Sequence, residues 1–155
     1  MAYAEDTSVS VEKSRAEIEK LIVRAGADKF ASMISENEAM IGFAICGKHV
    51  KFVLPLPRTD ERRFTHRKVN STNHGSPRSR EEAYKAWEQA CRSRWRALCL
   101  CIKAKLEAVE AGITTFEAEF LAHFVTPGGK TMGERIIPQL EEMSKSGKMP
   151  LLTLM

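Results

Sequence analysis

Met40-Ile41-Gly42-Phe43-Ala44-Ile45-Cys46-Gly47-Lys48-His49-Val50-Lys51-Phe52-Val53-Leu54-Pro55 decides the fold class. Phe43 and Ile45 alternate with Ala44 and Cys46, and Val50, Phe52 and Leu54 alternate with Lys51, Val53 and Pro55. A period of two belongs to strands with one buried face. The two runs, residues 40–46 and 49–56, flank a Cys-Gly-Lys-His turn and read as a β-hairpin. Pro55 and Pro57 end the second strand, because proline has no N–H to give a ladder. Upstream, residues 30–35 form a short third candidate strand, closed by the polar turn Glu36-Asn37-Glu38.

Outward from the hairpin the period becomes helical. Val11, Ile18, Leu21 and Ile22 recur on one helix face, with Ser10 or Ser14 as its N-cap and Gly26 past its end. Downstream, Ser79-Arg80-Glu81-Glu82 is a capping box with Glu82 at its fourth position. Trp87, Cys91, Trp95, Leu98, Ile102, Leu106 and Val109 follow at steps of three and four, up to Gly112. Such a helix is ~45 Å long, and that length predicts that it extends past its own core or pairs with a partner. Two shorter helices are expected after it. One opens at Thr114 with Phe116, Phe120, Leu121 and Phe124 behind it. The other opens at Thr131 with Ile136, Ile137, Leu140 and Met143, and Pro138 within it predicts a kink or a later start.

The expected architecture is therefore α+β: an N-terminal helix, a small antiparallel sheet of two or three strands with a hairpin, a long central helix and two shorter C-terminal helices. Residues 1–9 read as a flexible N-terminus. Residues 10–155 read as a single domain carrying a basic loop at 58–80. The apolar tail at 149–155 is expected to dock on the core or on another subunit, so homo-oligomerisation through the long helix and this tail belongs to the reading.

Charge is unevenly placed. Residues 58–105 hold thirteen Lys and Arg against five Asp and Glu, a net +8, while the remaining 107 residues carry −4. A one-signed local field attracts polyanions. The loop at 58–80 has little apolar content beyond Phe64 and Val69, and reads as a segment that orders on such a partner. Arg58, Arg62, Arg63, Arg67, Lys68, Arg78 and Arg80 are the candidate phosphate contacts, with Phe64 as a base-stacking candidate. Arg92 and Arg96 lie one turn apart on the long helix and extend the candidate set. Trp87 and Trp95 read as core anchors rather than stacking platforms.

Catalytic and metal signatures are missing. Cys99-x-Cys101 is too tight for a zinc knuckle, and His66 and His74 have no matching cysteine pair. Cys46, Cys91, Cys99 and Cys101 read as buried, reduced thiols of a cytoplasmic protein. Gly128-Gly129-Lys130-Thr131 lacks the earlier glycine of a phosphate loop, since Phe124 occupies that position. No strained nucleophile elbow is present, and the paired acids Glu117 with Glu119 and Glu141 with Glu142 read as first-turn or solvated helix residues. Asp60 and Glu61 are the only acids in the loop that a metal-dependent nuclease would need. No catalytic residue, no metal ligand and no cofactor are assigned. The N-terminus has no basic and apolar leader, and the longest uncharged apolar run, residues 97–102, predicts no membrane span.

The block Arg94-Trp95-Arg96-Ala97-Leu98 followed by Ile102-Lys103-Ala104-Lys105-Leu106-Glu107-Ala108-Val109-Glu110-Ala111-Gly112-Ile113 resembles a family of small uncharacterised proteins of phages, prophages and integrated mobile elements. The segments Phe116-Glu117-Ala118-Glu119-Phe120-Leu121-Ala122-His123, Pro127-Gly128-Gly129-Lys130-Thr131 and Val50-Lys51-Phe52-Val53-Leu54-Pro55-Leu56-Pro57 continue the likeness. The resemblance implies a mobile-element setting, in which small basic proteins serve DNA recombination, replication or packaging, or block host defence. It carries over no site residue. The expected function is a non-enzymatic accessory protein that binds nucleic acid, DNA first, through the basic loop and the long helix. The rival expectation is a protein-binding inhibitor or adaptor of the anti-defence type, aimed at an acidic host protein.

Overall fold

A computed structural model of the chain describes residues 3–72 and 74–147. Helix α1 (Val11–Arg24) is followed by strands β1 (Lys29–Ile34), β2 (Glu38–Ile45) and β3 (Lys48–Pro55). A single helical turn, α2 (Arg62–Thr65), precedes the long helix α3 (Arg80–Glu110). Helix α4 (Phe116–Phe120), a 3₁₀ turn (Leu121–His123) and helix α5 (Met132–Ser146) complete the α+β fold.

The sheet is antiparallel, in the order β1-β2-β3. Ile45 pairs with Lys48, so the hairpin turn is only Cys46-Gly47, shorter than the four-residue turn expected. Both turn residues have positive φ, 50° at Cys46 and 75° at Gly47, the requirement of the two-residue turn whose twist matches that of the strands. Glycine meets that demand without steric cost, whereas Cys46 carries a Cβ in the left-handed region.

The alternation read from the hairpin builds the core. Ile41, Phe43 and Ile45 of β2 and Val50, Phe52 and Leu54 of β3 share one face and are buried. Ile18 and Ile22 of α1, Trp95, Leu98, Cys99 and Ile102 of α3, and Phe120 of α4 cover that face. Phe120 meets Phe43 and Phe52 edge-on, at 6.0 and 6.2 Å between ring centres. The opposite face is largely open, with Met33 and Val53 exposed.

The helix caps follow the sequence. Ser10 accepts from the Lys13 amide, and Ser79 and Thr131 each form a full capping box, with Glu82 and Glu134. Thr115 caps α4, not Thr114. Pro138 lies within α5, which nevertheless starts at Met132.

Helix α3 buries side chains only between Cys91 and Ile102, so it extends past the core at both ends, where polar contacts hold it. Trp87 donates from Nε1 to the Pro57 carbonyl at 2.7 Å near its start. At its far end Lys105 donates to the Glu119 carboxylate at 3.0 Å. Residues 3–9, expected to be flexible, lie against it: Gln89 donates to the carbonyls of Glu5 and Thr7 at 3.0 and 2.9 Å, and Ala4 is buried. The tail at 149–155 lies outside the described residues.

Of the four thiols read as buried, Cys91 and Cys99 are buried, whereas Cys46 sits in the turn and Cys101 faces outward on α3. Burial raises the pKa of both buried thiols, to about 11 at Cys99, so both stay protonated. Among the described residues no helix is long and apolar enough to cross a membrane.

Candidate nucleic-acid interface

The basic loop leads into the N-terminus of α3 and is closed by its own hydrogen bonds. The Arg67 amide donates to the Ser76 carbonyl at 2.9 Å, and the Arg78 amide to the Thr65 carbonyl at 2.8 Å. His66 and Pro77 form an antiparallel bridge between the two limbs. Thr72 donates from its amide to Asn70 Oδ1 at 3.1 Å, turning the chain at the tip. Gly75 packs under the loop with φ of 78°, where an added Cβ would lie 3.2 Å from Val69 Cγ2. Among the described residues, these bonds join the two limbs of the loop.

Three of its arginines are held by the protein's own carboxylates. Arg58 grips Asp60 through two parallel bonds, Nε to Oδ1 at 3.0 Å and Nη2 to Oδ2 at 2.8 Å. Arg63 Nε donates to Glu61 Oε2 at 2.6 Å. Arg67 Nη2 reaches both oxygens of Glu82, at 2.9 and 2.8 Å. The Arg58 guanidinium holds the Asp60 carboxyl below its ordinary range. Glu61 is lowered by the Arg58 amide and then by Arg63, and Glu82 by the Ser79 amide and then by Arg67. Glu82 therefore joins two elements: it caps α3 and anchors the loop. The two acids on which a nuclease reading would rest, Asp60 and Glu61, are both occupied in this way.

The remaining predicted residues divide sharply. Phe64, expected to stack on a base, is 4% exposed, with the Arg63 guanidinium 4.6 Å from its ring centre, so it serves as the packing anchor of α2. The stacking expectation fails because an isolated aromatic among cations is also what a one-turn helix needs to dock. Arg92 and Arg96 do not join the loop's cations around its recess either. Arg96 is bound by Glu17 of α1, and Arg92 donates to Gln89, the residue that holds the N-terminal segment. Residues 17 and 96 are 79 positions apart, beyond any local pattern. Arg78 is half-buried and donates to the Phe64 carbonyl at 3.4 Å.

Arg62, Lys68 and Arg80 are exposed and make no ion pair among the described residues. Once Arg58, Arg63 and Arg67 are matched against Asp60, Glu61 and Glu82, the cations left over are Arg62, Lys68, Arg78 and Arg80. Arg78 and Arg80 line a recess of about 390 Å³ where the loop meets α3, together with Thr59, Thr65, Ala83 and Tyr84. This lining contains no carboxylate. Its hydroxyl groups were not singled out in the sequence. Thr59, Thr65 and Tyr84 come from three segments, and only the docking of α2 on α3 brings them together.

Among the described residues no three His, Cys, Asp or Glu side chains converge as metal ligands would. Comparison with protein-family models, with curated proteins and with solved structures finds no match to this chain.

Proposed function

We propose that the chain binds nucleic acid non-enzymatically through a small cationic site at the head of α3, as an accessory protein of a phage or mobile element. The carboxylate-free recess lined by Arg78 and Arg80 carries this reading, because a hollow with two arginines and three hydroxyl-bearing residues in its lining suits a phosphate group. Arg62 and Lys68, on the same loop, are exposed, unmatched cations able to contact neighbouring phosphates. The site proposed is smaller than the sequence suggested, and it includes the long helix no further than Tyr84. Phosphate contacts position a duplex or a single strand without reading its bases, so binding is weakly sequence-specific.

The test is a salt series of fluorescence anisotropy titrations on single- and double-stranded DNA. Replacing Arg62, Lys68 and Arg80 together by Gln should weaken binding and lower the slope of log K against log salt by about 2 to 3, at roughly 0.9 for each duplex phosphate that is no longer neutralised. Unchanged affinity and slope would refute the assignment.

One observation favours the rival, a protein-binding adaptor. Ile136, Ile137, Leu140 and Met143 of α5 are between 38% and 53% exposed and lie on one side of an otherwise polar helix. If α5 is the working surface, Ile137→Asp with Leu140→Asp abolishes capture of a defined host protein from nuclease-treated lysate and leaves DNA binding intact.

A further inference from the structure

A second recess lies on the other flank of α3, where α1, the β1–β2 turn and the 56–60 segment converge. It measures about 850 Å³, within the range of sites that hold a ligand or a few side chains. Leu56, Trp87, Cys91 and Trp95 give it an apolar floor. Ile34 is 47% exposed there, an apolar residue left in water at the mouth of the groove. Trp87 is fixed by its bond to the Pro57 carbonyl and leans on Tyr84, 5.4 Å away between ring centres. The aromatic wall is therefore preformed.

The charges of the rim are opposite to those of the phosphate site. Glu12, Glu36, Asp60 and Glu88 line the groove against Arg58 and Arg92. Arg58 is matched by Asp60, and Arg92 is turned to Gln89. Glu12, Glu36 and Glu88 have no ion pair among the described residues. Glu88 is half-buried, and after burial itself it is the next cause that raises the Cys91 thiol. A half-buried carboxylate that lines the same recess as aromatic side chains suits a cation, which both kinds of group attract.

We propose that this groove docks a basic-apolar segment of a partner protein, seating an aliphatic or aromatic side chain between Ile34 and Trp87 while adjacent Lys or Arg side chains meet Glu36 and Glu88. The complementarity is one of charge as well as shape: the lining carries two more acids than bases around an apolar floor. A nucleic acid is repelled by the same rim, so this site is distinct from the phosphate recess and stands whether or not that recess binds DNA.

The test ligand is the peptide acetyl-Arg-Leu-Phe-Arg-amide, titrated into the full chain by calorimetry and by the fluorescence of Trp87 and Trp95, since the peptide has no tryptophan. Saturable binding with a dissociation constant below ~1 mM is expected. Glu36→Gln with Glu88→Gln should weaken it about fivefold, because each exposed pair contributes modestly. Ile34→Gln, at a half-exposed position that leaves the fold intact, should weaken it as well, and both variants should keep wild-type melting temperatures and DNA affinity. Binding of the charge-reversed peptide acetyl-Glu-Leu-Phe-Glu-amide with equal affinity would overturn the proposal. So would indifference to both sets of substitutions, or tighter binding of the small amine phenethylamine than of the peptide.

Discussion

The two recesses beside the first half of α3 share a wall, Thr59 and Tyr84, yet they present opposite charge. On the loop side the acids are consumed: Asp60, Glu61 and Glu82 are bound by arginines, and the surplus that faces outward is cationic. On the sheet side the arginines are consumed, and the surplus is Glu12, Glu36 and Glu88. The lesson is that a run of charge along a chain does not fix the sign of a surface. Which groups pair with one another decides it, and that is a property of the docked elements. The Arg58–Asp60 pair takes one charge of each sign out of both inventories at once.

The comparison breaks most completely if the scaffold between the recesses is lost. Trp95 is 1% exposed, lines the groove and packs in the core, so Trp95→Ala should cost about 3–5 kcal/mol in chemical denaturation and abolish both activities together. A smaller effect is expected at the joint itself. Ser79→Ala removes the acceptor for the Glu82 amide and should cost about 1 kcal/mol, while loosening the Glu82 carboxylate that anchors Arg67. Its signature is weaker DNA binding with peptide binding intact, and equal loss of both would mean that the two recesses are not independent.

The smallest effect is on pH dependence, at a contact that lines neither recess. His123 stacks on Phe52 with ring centres 4.0 Å apart, and burial followed by Lys105 lowers its pKa below the ordinary value near 6.5. The unfolded chain then binds more protons than the folded one as pH falls through 6.5. Stability from this group is full above that pH and declines below it, toward the lowered folded value. Thermal unfolding between pH 7.5 and 5.5 should show that decline, and His123→Phe should flatten it without changing either ligand affinity.

How much of this the sequence disclosed follows from the range of the interactions. The hairpin, the long helix and its Ser79–Glu82 box are set by neighbours a few positions apart, and they appear where the pattern put them. Boundaries slipped by one residue at Thr115 and at the Cys46-Gly47 turn, because adjacent threonines offer equivalent caps and a cysteine gives no warning of positive φ. The cationic bias of the middle third was legible, but its availability was not. Arg67 meets Glu82 across 15 positions and Arg96 meets Glu17 across 79, and no periodicity encodes such pairs. Phe64 misled for a related reason: α2 is a single turn, too short to leave an apolar stripe. The acid-rimmed groove left no trace at all, since its lining is gathered from four separate stretches of chain.

The central claim is that only the unmatched cations meet nucleic acid, and a paired salt-dependence measurement tests it most directly. One variant replaces the free set, Arg62, Lys68 and Arg80, by Gln. The other removes matched pairs at no net change of charge, Arg58→Gln with Asp60→Asn and Arg63→Gln with Glu61→Gln. The first should lower the slope of log K against log salt by about 2 to 3 while the second leaves it at the wild-type value. Equal slopes for the two variants, or a larger drop for the matched pairs, would contradict the account.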